Sequence, residues 1–340
     1  MQGQALADSD LTLATSLLER LLELQAGDGG WGAYPELPSA TEPTALALMC
    51  LQAPGAVETL YSAGVSARQR VGEARLRAAN WLIASQREDG SWPVSVQTQS
   101  AGWSTSFAVM ALAGESSRAE PASRGARWLV QEKGRGLPWL SRLYFRFFPA
   151  DRSVNVLDPS LVGWPWATAT FSWVEPTSYA MLALQRLPED RRPRGSGRRL
   201  DMARQMLADR MCYDGGWNYG NKEVLGEELW PYADTTALAL VALAGSPADE
   251  SPGAEQSQRL AEVQRLSLDA LGQMLKRNRS GVALAWSILC YRLYDRDSTR
   301  LEGWLAESYQ RTRFMDEVRV VATAALALMG GETLLRGSVA

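Results

Sequence analysis

Apolar positions along the chain fall into two alternating kinds of run. One kind spaces its large apolar residues three and four apart among charged ones. The other is alanine and leucine almost throughout. Residues 10–25 are the first of the spaced kind, with Leu13, Leu17, Leu18, Leu21 and Leu24 among acidic and basic neighbours. That pattern predicts an amphipathic helix started by Ser9 or Asp10. Residues 43–52 are the first of the uniform kind and predict a buried helix that opens on Pro43. The alternation then repeats. Amphipathic helices are expected over 71–86, 121–133, 199–211, 256–276 and 301–312. Apolar helices are expected over 105–114, 176–187, 235–245, 281–294 and 318–329. About six pairs of one outward-facing and one buried helix result. Alanine- and leucine-rich inner helices need burial on all sides, and closing the array into a ring supplies it. The expected fold is therefore all-α, an (α/α)6 toroid of about six inner and six outer helices in one domain over 1–340. The competing arrangement is an open α-solenoid with polar concave faces and atypical end repeats.

Turn motifs punctuate the pairs. Gln25-Ala26-Gly27-Asp28-Gly29-Gly30-Trp31 precedes the first buried run. Gln86-Arg87-Glu88-Asp89-Gly90-Ser91-Trp92 precedes the second, and Met211-Cys212-Tyr213-Asp214-Gly215-Gly216-Trp217 the fourth. The tryptophans of these turns are expected to be packed. Residues 135–173 break the rhythm as an irregular aromatic insertion that contains 137–148 and Trp164-Pro165-Trp166. A loop this long in a compact domain is commonly functional. Residues 191–199 hold five arginines with proline and glycine, and read as a solvated linker.

Composition narrows the chemistry. The 340 residues contain no histidine, which removes histidine triads, histidine bases and histidine metal ligands. The three cysteines have no spacing motif, and no cofactor or metal is expected. A net charge of −3 argues against nucleic acid as a partner. No apolar run approaches the ~20 residues of a spanning helix, and residues 1–10 lack a signal-peptide core. Cytoplasmic residence is expected. Acid–base work must then fall to carboxyls, tyrosine, cysteine or lysine.

Glu42, Glu175 and Asp234 stand at the starts of three expected inner helices, where the aligned peptide dipoles favour the anion. Packing and capping explain such residues as readily as proton transfer does. The aromatics Trp103, Phe107, Trp164, Trp166, Phe171, Trp173, Tyr179, Trp230, Tyr232 and Trp286 stand at inner-helix positions or in the loops that lead to them. Aromatic faces stabilise cations, but they also stack on sugars or fill a core.

The Asp-Gly-Gly-Trp turns and the Thr-Ala-Leu-Ala-Leu helices resemble the Gln-Trp repeats and inner helices of squalene-hopene and oxidosqualene cyclases. Protein prenyltransferase β subunits share that superfamily. The resemblance spans nearly the whole chain and is more specific for fold than for chemistry. Tyr232-Ala233-Asp234-Thr235-Thr236-Ala237 is similar in part to the cyclases' acid motif, and it puts Asp234 on the proton donor. Such an acid needs a raised pKa, from desolvation by Trp230 and Tyr232 or from repulsion by Glu175 or Glu42. The resemblance implies a class II-type, proton-initiated cyclisation of a hydrophobic isoprenoid without metal. Related cyclases carry a second helical domain, for which this chain has no room. That implies two further readings: a non-catalytic toroid that binds an isoprenoid or peptide, or a subunit whose protein partner closes the cavity. Rim carboxylates also fit a carbohydrate-active (α/α)6 enzyme. Residues 137–148 are a candidate for peripheral membrane contact, as in monotopic cyclases.

Overall fold

The computed structural model describes residues 2–56, 58, 65–98, 100–114, 119–134, 157–244 and 254–336. Twelve long helices alternate along them. The outer ones are α1 (Gln2–Glu23), α3 (Val65–Ala84), α5 (Ala119–Gln131), α7 (Ser196–Arg210), α9 (Ala254–Met274) and α11 (Thr299–Thr312). The inner ones are α2 (Thr41–Gln52), α4 (Ser104–Ala113), α6 (Val174–Arg186), α8 (Ala233–Ala244), α10 (Gly281–Leu293) and α12 (Val318–Leu328). A short α13 (Glu332–Leu335) follows. Among the described residues, strand is confined to the hairpin β1 (Glu223–Val224) and β2 (Glu227–Glu228), plus isolated bridges.

Each inner helix packs on the next, and α12 packs on α2, so the ring is closed. Outer helices lie against the inner helix before them in sequence, and α1 fills the sixth place against α12. Inner helices such as α4 and α8 are buried over almost their whole length, as uniformly apolar sequences require. Closure is reinforced by Arg20 of α1, whose Nε and Nη2 each donate at 2.8 Å to the two oxygens of Asp316.

Three inner helices, α2, α6 and α8, start two residues earlier than the apolar runs indicate. Pro43 and Pro176 are third residues of their helices rather than first. Proline is tolerated there because the first-turn N–H groups have no intrahelical acceptor. One consequence is that Glu42, Glu175 and Asp234 are second residues of α2, α6 and α8, not caps.

The repeat turns lock the ring. Trp31, Trp92 and Trp217 are fully buried. Each indole N–H donates to a carbonyl of the preceding outer helix, Leu21, Leu82 and Leu207 respectively. Each backbone N–H of these tryptophans donates to a threonine hydroxyl in the first turn of the next inner helix: Thr44, Thr105 and Thr236. Gln25 and Gln86 then reach the following outer helix, donating to the carbonyls of Ala74 and Pro121. Where Met211 replaces the glutamine, Ser267 of α9 makes the tie by accepting from Gly216 N–H at 3.0 Å. Gly29, Gly90 and Gly215 have φ of 95°, 91° and 88° and abut the next outer helix, so only glycine fits.

A fourth copy of this turn is completed by Trp164. Its indole donates to Leu129 O at 2.8 Å and its backbone N–H to Thr177 Oγ1 at 2.9 Å. The sequence assigns Trp164 to substrate contact; the structure gives it the structural place instead. The arginine-rich run is also partly internal. Arg199 donates to the carbonyls of Glu132, Val162 and Gly163 and lies 3.9 Å over the Trp164 ring, while Arg192 caps the Gln185 and Leu187 carbonyls. The 137–148 segment lies outside the described residues.

Candidate active site

Thr44, Thr105, Thr177 and Thr236 set a common register, because each is fixed by its tryptophan. The residue two before each is Glu42, Trp103, Glu175 or Asp234. On α12 the second residue is Arg319, and on α10 it is Val282. Three carboxyls, an indole and a guanidinium thus stand at equivalent places around one rim. The connecting loops lace together there: Thr41 N–H donates to Val94 O, and bridges join Gly102 to Ala167 and Pro165 to Ser172.

These rim groups act on one another. Trp103 Nε1 donates to Glu42 Oε2 at 2.9 Å and packs edge-on against Trp166, ring centres 5.1 Å apart. Burial pushes the Glu42 carboxyl above its ordinary range, against the pull of the Trp103 hydrogen bond and Arg319. Glu175 is pushed from the ordinary 4.5 to about 7, first by burial and next by the Asp234 charge. Arg319 opposes the shift and Glu42 adds to it. Burial disfavours the Arg319 charge, but Glu42, Tyr179 and Glu317 outweigh it and raise its pKa. Arg319 Nε also donates to Glu317 Oε1 at 3.2 Å. Asp234 Oδ1 accepts from Thr235 N–H at 3.0 Å.

One turn deeper stand Phe107, Tyr179 and Trp286, all buried. The rings of Phe107 and Tyr179 are 4.5 Å apart, those of Tyr179 and Trp286 6.4 Å. The Tyr179 phenol is raised well above its ordinary value by burial and then by Glu175, Glu42 and Asp234.

The site therefore gathers Glu42, Trp103, Trp166, Glu175, Tyr179 and Asp234, with Phe107 and Trp286 below. Trp173 is partly buried and immediately precedes α6, its N–H donating to Trp164 O. Trp230 and Phe171 stand outside, 76% and 67% exposed. Tyr232 is 45% exposed and packs on Tyr219. Trp230 and Tyr232 thus stand largely in solvent, and the carboxyl that burial raises to about 7 is Glu175. Arg319 was not expected. Its signal is its place in the sixth apolar run, level with Glu42.

Chemically, the rim offers an acid that keeps its proton near neutrality, carboxylates beside it and aromatic faces below. Among the described residues, no group of three or more Cys, Asp or Glu side chains is arranged to hold a metal ion. No described helix is long and apolar enough to cross a membrane.

A closed ring of this kind with its helix starts on one rim is an (α/α)6 toroid. No protein-family model matches the sequence, and no curated protein matches it. Among solved structures, the chain is similar to apo MstE, a type II terpene cyclase from Scytonema. The TM-score is 0.54 at 19% identity, over 97% of this chain and 99% of that one. An MstE variant in complex with geranylgeranyl dihydroxybenzoate, its substrate, gives 0.55 at 16% identity over 96% and 99%. A protein from Actinoplanes gives 0.55 at 16% identity over 94% and 98%. At these identities the likeness is one of fold.

Proposed function

We propose that the protein is a metal-independent cyclase of the squalene-hopene type in its chemistry, acting on a hydrophobic isoprenoid by protonation. The observation that carries this reading is Glu175, a carboxyl held protonated near neutrality between two other carboxyls and above an aromatic layer. Glu175 transfers its proton to a terminal alkene or epoxide of the substrate. The resulting cation is stabilised by the ring faces of Trp103, Tyr179, Phe107 and Trp286 and by the Asp234 and Glu42 carboxyls. Cyclisation moves the positive charge along the chain. Loss of a proton from the last cation ends the reaction, so the product is an isomer of the substrate. Asp234, the acid suggested by sequence, serves here as the charge that keeps the proton on Glu175.

Incubation with squalene, its epoxide, linear prenyl diphosphates and a prenylated aromatic acid, followed by product analysis, tests the proposal. Cyclised isomers are expected, and EDTA should leave their formation unchanged. Failure to convert any of them would move the reading to a binding toroid or partner subunit. A second expectation separates the roles of the carboxyls. Asp234→Asn removes the second-largest cause of the Glu175 shift, so activity should persist with its alkaline limb moved to lower pH. Complete loss at every pH would return the acid to Asp234.

A further inference from the structure

The aromatic layer under the rim has a bearing on substrate size. Neighbours in the ring run α6, α8, α10, so Tyr179 and Trp286 belong to helices that α8 separates. Their rings nevertheless approach to 6.4 Å, which requires both to reach inward across the lumen. Phe107 continues the layer from α4 at 4.5 Å from Tyr179. The other three helices put Leu46, Leu238 and Thr323 at the same depth, one turn beyond their rim residues. None of the six is more than 5% exposed, so the layer is closely packed. The reacting layer and this floor are about one helical turn apart, some 5 Å along the axis.

Building on the cyclase reading, we propose that Phe107, Tyr179 and Trp286 are a floor that sets the chain length the site engages. Only the last two isoprene units, the least that can close a ring, lie between the rim acids and this floor, and the rest of a longer substrate lies beyond the rim. The site thus takes isoprenoids whose far end is bulky or polar, and it closes few rings per turnover. Trp286 is the specificity residue, because it has the largest side chain in the layer and spans the widest gap.

The test uses geraniol, farnesol and geranylgeraniol as binding probes, measured by calorimetry on the whole chain. Wild type should bind all three with similar affinity. Trp286→Ala should bind geranylgeraniol at least about tenfold more tightly than geraniol, the gain expected for burying a few more methylene groups. Trp286→Leu, which leaves less empty volume, should show the same trend to a smaller degree and serves if the alanine variant does not fold. Products from Trp286→Leu should carry more rings than those of wild type. A folded Trp286→Leu that binds all three alcohols in the wild-type ratio would overturn the floor while leaving the cyclase reading intact. A wild type that already favours geranylgeraniol tenfold would do the same. No binding of any prenyl alcohol to wild type would overturn both.

Discussion

Glu175→Gln is expected to abolish cyclisation of every isoprenoid that the wild type converts, and to make the protein more stable in alkali. The two effects share one cause. Glutamine copies the shape of the protonated acid but has no proton to give. In the wild type, the carboxyl holds its proton up to about pH 7 when folded, against an ordinary value of 4.5. Below about pH 4.5 both folded and unfolded chains are protonated, and Glu175 contributes nothing to the pH dependence. Between there and about pH 7 the folded chain keeps a proton that the unfolded chain loses, so stability falls as pH rises. Above pH 7 the full cost applies, at most about 3 kcal/mol. Glutamine removes that cost. Melting curves at pH 4, 6 and 9 should coincide with wild type at the first and exceed it at the last. Activity retained by the variant would end the assignment of Glu175 as acid. Equal melting of the two proteins at pH 9 would show that its carboxyl is not raised.

Trp164→Ala should cost roughly 3–5 kcal/mol, the usual range for a large aromatic removed from a core. Its indole is buried and satisfies Leu129 O, and Arg199 rests on its face. The substitution opens a void, leaves a buried carbonyl unpaired and strips Arg199 of its platform. Trp166→Ala, two residues on and only partly buried, should cost far less and alter activity instead. Urea unfolding of both variants makes the comparison. Wild-type stability in Trp164→Ala, with altered product, would restore Trp164 to the substrate.

That pair also shows what the sequence could and could not convey. Alternating spaced and uniform apolar runs are dictated by burial on one face or on all, so the paired-helix array was legible from periodicity and its closure from the cover the uniform runs need. Trp31, Trp92 and Trp217 were legible because a glycine turn precedes each. The fourth turn was obscured because its tryptophan lies far along the chain from Gln131, whereas Gln25 and Gln86 are each followed by their tryptophan six residues on. The spacing to the threonine was the surviving signal: Trp31 to Thr44, Trp92 to Thr105 and Trp164 to Thr177 are all thirteen apart. At the rim, the three carboxyls could be named in advance because each opens an apolar helix. Which of them keeps its proton could not, since that depends on burial and on charges from other helices. Arg319 escaped notice for the same reason. Its partners Glu42 and Tyr179 are brought to it only by closure of the ring.

Closure sets a condition on biosynthesis. Arg20 and Asp316, which seal the first helix to the last loop, are 296 residues apart. At ~5–20 residues per second, a ribosome needs roughly 15–60 s to make that span. Throughout it the nascent chain is an arc with a free edge at α2, a helix apolar enough to need cover on every side. An end-capped solenoid can settle as it emerges; a ring cannot. Chaperone demand and aggregation during expression should therefore depend on how quickly the last two helices arrive, more than on the stability of the finished protein.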